Sequence, residues 1–399
     1  MSLYDEVYGR EPSQPVSSSQ RGAGLGLSGG GFRAMLFHVG ALRRLFEADA
    51  LRDLSRITSV SGGSITAAQL ALHWDTLTAH PGDLTRWKAL VEAPLFEFAG
   101  KRLDALAIGA GWVRPRRGAA DGVADAYDKL FGGATLQSLP TDPRFVILAT
   151  NLGTGSLVRF AAKYTADQRV GRNQGLDIRL ADAVAASSAF PPILSPKVIR
   201  LADQEALTDS FPGDQPPLQR KPWTHRLELT DGGVYDNLGL QPLEKYHTIL
   251  ASDGGGPFAF KERVAKNYLQ HMIRAWVVTD NQVRSLRRSN LVSEYRVDTR
   301  LGTYWGINTQ IAKYSKQRID VDPSWIEELS SVPTRLWHMP ERVRRRLINW
   351  GYAVCDAAFR SYVDSNLPDP AGLPYPGDPL SAPVPEQSLW RRILRLDPA

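Results

Sequence analysis

Residues 23–46 read AGLGLSGGGFRAMLFHVGALRRLF, and this stretch decides what kind of fold the chain can have. Its first five residues are small or apolar, which suits a short strand buried on both faces. Gly29-Gly30-Gly31 breaks that strand. Beyond the break Met35, Leu36, Val39, Leu42, Leu45 and Phe46 recur at steps of three and four, the spacing of a helix with an apolar face. The same order of strand, glycine turn and helix returns in RITSVS (56–61), Gly62-Gly63 and SITAAQLALHW (64–74). FVILATN (145–151), RLELTD (226–231), TILASD (248–253) and IRAWVVTD (273–280) are further apolar runs of strand length. Several end in Asp or Asn, as strands of an open sheet do at their carboxyl edge. The reading is a three-layer α/β/α protein with a largely parallel central sheet and a mainly helical C-terminal extension. Strands are expected to stop near residue 281.

The chain has 399 residues, 43% hydrophobic and 23% charged, the proportions of an ordinary globular protein. A single cysteine, Cys355, excludes a disulfide framework and a Cys-rich zinc site, and points to a reducing compartment. The N-terminal residues MSLYDEVYGREPSQP lack the basic-then-apolar pattern of a signal peptide, and no window approaches the roughly 18 apolar residues of a spanning helix. A soluble, cytoplasmic protein is expected. The formal charge of +6 could meet anionic lipid headgroups or nucleic acid, but no nucleic-acid module is present. The chain divides into a loose arm (1–21), an α/β domain (22–285), a mainly helical extension packed on it (286–366) and a Pro-rich tail (367–399). The tail ends in LWRRILRLDPA (389–399), whose apolar residues alternate with arginines, so it could lie on a membrane surface or dock on its own domain.

Three motifs carry chemistry. Ser61 stands where a strand meets a helix, between small residues, Ser59-Val60-Ser61-Gly62-Gly63. Such a sharp turn exposes a nucleophilic oxygen and sets helix amides behind it, although an ordinary N-cap serine has the same setting. Gly29-Gly30-Gly31 presents consecutive amides to an anion, either a phosphate or the oxyanion of an attacked ester. Gly24-x-Gly26-x-x-Gly29 also matches a dinucleotide fingerprint, but its first two glycines fall inside the strand. Asp231-Gly232-Gly233 closes RLELTD, where a desolvated carboxylate could serve as a base, with Asp253-Gly254-Gly255 as a rival. None of the seven histidines lies in a glycine-rich turn late in the chain, and His38 and His225 read as packing or surface residues. A Ser–Asp dyad is more economical than a triad.

With these motifs in order, residues 23–280 resemble the patatin-like phospholipase family, whose glycine loop is shared in form with cytosolic phospholipase A2. The resemblance implies Ser61 as nucleophile, Asp231 as dyad aspartate, Gly29, Gly30 and Gly31 as the oxyanion hole, and Arg33 at the loop's basic position, where it could orient a phosphate headgroup or brace the loop. Asn237 completes the family's D-G-G-x-x-x-N and favours Asp231 over Asp253, and ASSAFPP (186–192) is similar to its Ser/Ala-rich stretch. Two departures, Ala34 and Ser59, replace family glycines. The expected activity is that of a serine acyl hydrolase of phospholipase A or lysophospholipase type, with residues 22–285 as its catalytic domain. It acts on phospholipid or other lipid esters, needs no metal or cofactor, and makes peripheral membrane contact as an option. A non-lipid carboxylesterase or thioesterase, and an anion- or nucleotide-binding module, are the alternatives.

Overall fold

A computed structural model describes residues 22–101, 103, 118–210, 216–258, 260–264 and 267–385. The arm expected over 1–21 and the basic segment 389–399 lie outside the described residues.

Among the described residues ten strands form one sheet: β1 (Ala23–Leu27), β2 (Leu54–Val60), β3 (Arg144–Asn151), β4 (Leu157–Ala161), β5 (Tyr164–Asp167), β6 (Gly171–Asn173), β7 (Lys197–Arg200), β8 (Arg226–Asp231), β9 (Thr248–Asp253) and β10 (Leu301–Gly306). Their order is β10-β9-β1-β2-β3-β4-β5-β6, with β8 also on β3 and β7 on β8. The run from β10 to β3 is parallel, and β4 to β6 continue it as an antiparallel meander. The main helices are α1 (Gly31–Glu47), α2 (Gly62–Leu72), α3 (Ala119–Phe131), α4 (Leu180–Ser187), α5 (Gly233–Asp236), α6 (Tyr268–Arg296), α7 (Pro323–Ser330) and α8 (Glu341–Tyr362).

Alternation along the strands assigns the two layers. Leu25 and Leu27 of β1 and Leu250 of β9 point into the large core with α1, α2 and α8, whereas Ile249 and Ala251 point to the opposite face with Leu243, Tyr246 and Leu291 of α6. Gly24 and Gly26 also face that second layer. A Cβ on Gly24 would lie 2.8 Å from Leu243 Cδ2, and one on Gly26 would lie 2.7 Å from the Leu238 carbonyl. Those two glycines of the dinucleotide-like pattern therefore serve strand packing.

The structure departs from the sequence reading after residue 270. IRAWVVTD (273–280) is not a strand but part of the 29-residue helix α6. Its β-branched run matched a strand locally, yet Trp276, Asp280, Arg284, Arg287 and Leu291 recur at steps of three and four through the whole segment, and only the longer window shows them. Strands also do not stop at 281. LGTYWG (301–306) adds β10 to the edge of the parallel sheet, paired with β9 along its full length.

The C-terminal region is tied into the core. Helix α8 lies against α1 so closely that a Cβ on Gly351 would sit 1.9 Å from the Phe37 carbonyl, and one on Gly40 would sit 1.9 Å from the Ile348 carbonyl. Buried Arg44 of α1 donates to Asp356 of α8 at 2.8 Å and to the Pro368 carbonyl, and Arg360 donates to the same carboxylate at 3.1 Å. The described part of the Pro-rich tail is a strap, not a free linker: Leu380 is fully buried and Trp325 Nε1 donates to the Ala382 carbonyl at 2.7 Å. Among the described residues no helix is long and apolar enough to cross a membrane.

A methyl group between α1 and α8 has nowhere to go. Gly351→Ala gains about 1 kcal/mol of helix propensity, but overpacking costs about 3 kcal/mol or more. The variant should therefore unfold at a clearly lower temperature in a thermal melt. An unchanged or higher midpoint would mean that the two helices separate without cost.

Candidate active site

Ser61 sits between β2 and α2 with φ 50° and ψ −119°, a left-handed, strained conformation for a non-glycine residue. What holds it there is the crowding behind it. A Cβ on Gly62 would fall 2.1 Å from the Gly31 carbonyl, and one on Gly63 would fall 2.4 Å from the Leu27 carbonyl. The two glycine turns thus meet backbone to backbone. From the other side Ser187 Oγ accepts the Ser61 N–H at 2.9 Å, and Ser64 Oγ bridges Ser187 Oγ (2.9 Å) and Ser59 Oγ (3.0 Å). Ser59, in place of a glycine, is accommodated by that hydrogen bond.

Sheet register brings Asp231 to Ser61. On one edge of β3, strand β2 pairs up to Val60↔Leu148 and then ends. Strand β4 occupies the other edge through Ala149 and Thr150, so β8 takes the place β2 has vacated, beginning with Asp231↔Ala149. The last residue of β8 therefore abuts the residue after β2. The Asp231 carboxyl is buried, accepts the Gly233 N–H at 2.7 Å and lies within electrostatic reach of the Ser61 hydroxyl. Burial pushes its pKa up to about 7 against the pull of the Gly233 amide and the Ser61 hydroxyl, and the Asp280 carboxylate on α6 adds to the rise.

The glycine loop supplies two free amides instead of three. Gly29 lies against Ser61, where an added Cβ would be 3.2 Å from Ser61 Cβ, but its N–H donates to the Asn237 carbonyl at 3.1 Å. Gly29, expected as an oxyanion donor, thus has its N–H on the Asn237 carbonyl in this structure. Among the described residues the N–H groups of Gly30 and Gly31 have no acceptor. Their φ values of 139° and 57° are those glycine tolerates, and they turn the chain into α1. Ala34, the other departure, packs on Gly254, where a Cβ would lie 2.5 Å from Ala34 Cα.

Arg33 does not bond to Ser61 or Asp231. Its Nε donates to the Gly254 carbonyl at 3.1 Å and its Nη1 to the carbonyls of Ser330 (3.0 Å) and Val332 (2.5 Å). The side chain is 2% exposed, and burial, with Arg284 nearby, lowers its pKa to about 9, so it stays charged at neutral pH. Of the two roles expected for Arg33, these three carbonyl contacts are those of a brace, while its Nη2 is buried without a partner among the described residues. Asp253, the rival aspartate, accepts from Tyr304 Oη (2.8 Å) and the Gly255 amide (2.9 Å), away from Ser61. His38 is a second brace. Its Nε2–H donates to the Ser28 carbonyl at 3.0 Å, so Nδ1 accepts from Ser252 Oγ at 2.8 Å, and burial lowers its pKa to about 4. His225 pairs with Asp203 near the surface. Sequence reasoning missed the tasks of Ser187 and Asn237 as supports and of Asp280 as neighbour. Asn237 carried a motif signal and Ser187 a compositional one, while Asp280 carried none.

Comparison with solved structures finds human GIVD cytosolic phospholipase A2 at 14% identity and TM-score 0.46, covering 84% of this chain and 61% of that one. It also finds VipD from Legionella pneumophila (13%, TM-score 0.34, 84% and 66%) and the type III effector ExoU (23%, TM-score 0.23, 43% and 40%). The chain thus spans about three fifths of the phospholipase A2 it resembles. No curated protein matches it. The family model described as patatin-like phospholipase matches residues 25–243, more than half of the chain, from β1 through β8 and the turn that follows. This chain belongs to the patatin-like phospholipase family.

Proposed function

We propose that the protein is a lipid acyl hydrolase in which Ser61 is the nucleophile, Asp231 the general base, and the Gly30 and Gly31 amides the oxyanion hole. The observation that carries this reading is the strained, turn-held serine set beside a buried carboxylate poised near pH 7. Asp231 takes the Ser61 proton as Oγ attacks the ester carbonyl. The two amides stabilise the negative oxygen of the tetrahedral intermediate. Protonated Asp231 then gives its proton to the departing alcohol, leaving an acyl-enzyme. A water molecule loses a proton to Asp231, attacks the acyl carbon and releases the fatty acid, and the proton returns to Ser61. Phospholipids are the substrate class that family membership favours, with phospholipase A or lysophospholipase specificity.

Fatty acid release from mixed phospholipid vesicles tests the assignment. Ser61→Ala and Asp231→Asn should each lower release by about a thousandfold or more, and Ser61→Ala should lose labelling by a fluorophosphonate. Release that persists in Ser61→Ala would overturn the mechanism.

The base must be ionised to act. With its pKa near 7, kcat/KM should climb about tenfold per pH unit below 6 and level off above 8. A profile flat from pH 5 to 8 would remove Asp231 from the role of base.

The same shift fixes a stability effect. A carboxylate whose folded-state pKa lies above its unfolded value contributes stability at low pH that is lost as pH rises through 7. Asp231→Asn carries no such loss. Thermal melts should therefore place it level with wild type near pH 4 and above it at pH 8, by about 4 kcal/mol at most. Equal midpoints at both pH values would contradict a desolvated Asp231.

A further inference from the structure

A cavity of about 600 Å³ opens between the C-terminal half of α6, the end of β10 and the turn that follows it, away from Ser61 and Asp231. Its size is that of a small-molecule site. Three cations line it, Arg288 and Arg296 from α6 and Lys313 from the turn beyond β10, with the hydroxyls of Ser289, Ser293 and Thr309 among them. No aspartate or glutamate lines it. Among the described residues none of the three cations forms an ion pair with a carboxylate, although the neighbouring arginines of α6 do: Arg284 faces Asp253 and Arg287 faces Asp236. Arg284 and Arg287 meet carboxylates of the body, while Arg288 and Arg296, eight residues apart on α6, both reach the same cavity. Arg288 lies beside the Tyr304 hydroxyl, which donates to Asp253 at 2.8 Å.

Three converging, carboxylate-free cations ringed by hydroxyl donors match a group with several anionic oxygens better than a single carboxylate. The geometry points to a binding site for a phosphomonoester at this cavity, separate from the dyad, with Arg288, Arg296 and Lys313 as its charge partners. The phosphate can belong to a soluble molecule or to a lipid headgroup, and the two sources differ in what holds the protein.

The test uses the full-length chain carrying Ser61→Ala, so that no probe is consumed. Inorganic pyrophosphate is titrated calorimetrically, and flotation is measured with phosphatidylcholine vesicles containing either phosphatidic acid, a phosphomonoester, or phosphatidylglycerol, a phosphodiester. Each measurement is repeated with Arg288→Gln/Arg296→Gln/Lys313→Gln. It is also repeated with Lys88→Gln/Lys129→Gln/Lys163→Gln, three exposed lysines elsewhere that make the same change in net charge. Pyrophosphate binding that falls at least about tenfold in the first triple variant and not in the second supports the site with a soluble ligand. Flotation with phosphatidic acid but not phosphatidylglycerol, lost in the first triple variant only, supports it with a lipid headgroup. Binding of neither probe by the parent chain, or equal losses in the two triple variants, overturns the proposal. Unfolding midpoints that match the parent's keep a loss from being read as misfolding.

Discussion

The contact between two glycine turns is the constraint on which the rest of the site depends. Where α2 begins, Gly62 and Gly63 face the carbonyls of Gly31 and Leu27 with no room for a side chain. Two parallel strands, β1 and β2, thereby end at the same level with their following helices pressed together. That pressure places a serine in a left-handed conformation and sets two unpaired amides beside it. Strain of this kind costs roughly 1–3 kcal/mol and persists only where the surroundings over-determine it. Here the surroundings are main chain on one side and the Ser187–Ser64–Ser59 hydroxyl chain on the other. Main-chain atoms cannot change rotamer, so the geometry is fixed before any substrate arrives.

The second constraint is an exchange of partners along one strand. The parallel sheet carries Ser61, but an antiparallel strand carries Asp231, and the two meet because β3 outlasts β2 by three residues. A one-residue slip of β8 would turn Asp231 to the other face of the sheet and leave Thr230 in its place. Thr150 Oγ1 donates to the Asp231 carbonyl, and the Asp231 N–H donates to the Ala189 carbonyl, so the terminal residue of β8 is held from both neighbours.

Much of this was legible in the sequence because it rests on short-range patterns. Strand, glycine turn and helix follow one another twice within about fifty residues, and Ser61 and Asp231 stand at strand ends that apolar runs define. What stayed hidden depends on distant partners. Nothing local says that the Gly29 proton is spent on Asn237, or that Arg33 turns away to carbonyls about 300 residues later. The strand reading of 273–280 failed for a related reason. An eight-residue apolar window fits either period, and only the cationic and apolar stripe of the whole 29-residue segment separates them. β10 escaped notice because a six-residue edge strand opened by Leu301-Gly302 reads as a turn until β9 is there to pair with it.

The Arg33 clamp also separates two meanings of the word domain. The segment recognisable as patatin-like ends at residue 243, and a boundary drawn there looks natural by descent. Yet the loop holding Gly30 and Gly31 is fastened by groups contributed much later: Ser330 and Val332 accept from Arg33, and the Arg335 carbonyl accepts the Phe32 N–H at 3.3 Å. Without them a buried guanidinium would lose two of its acceptors in an apolar setting, which is costly. The residues that the family model matches are therefore fewer than those that hold its glycine loop in place.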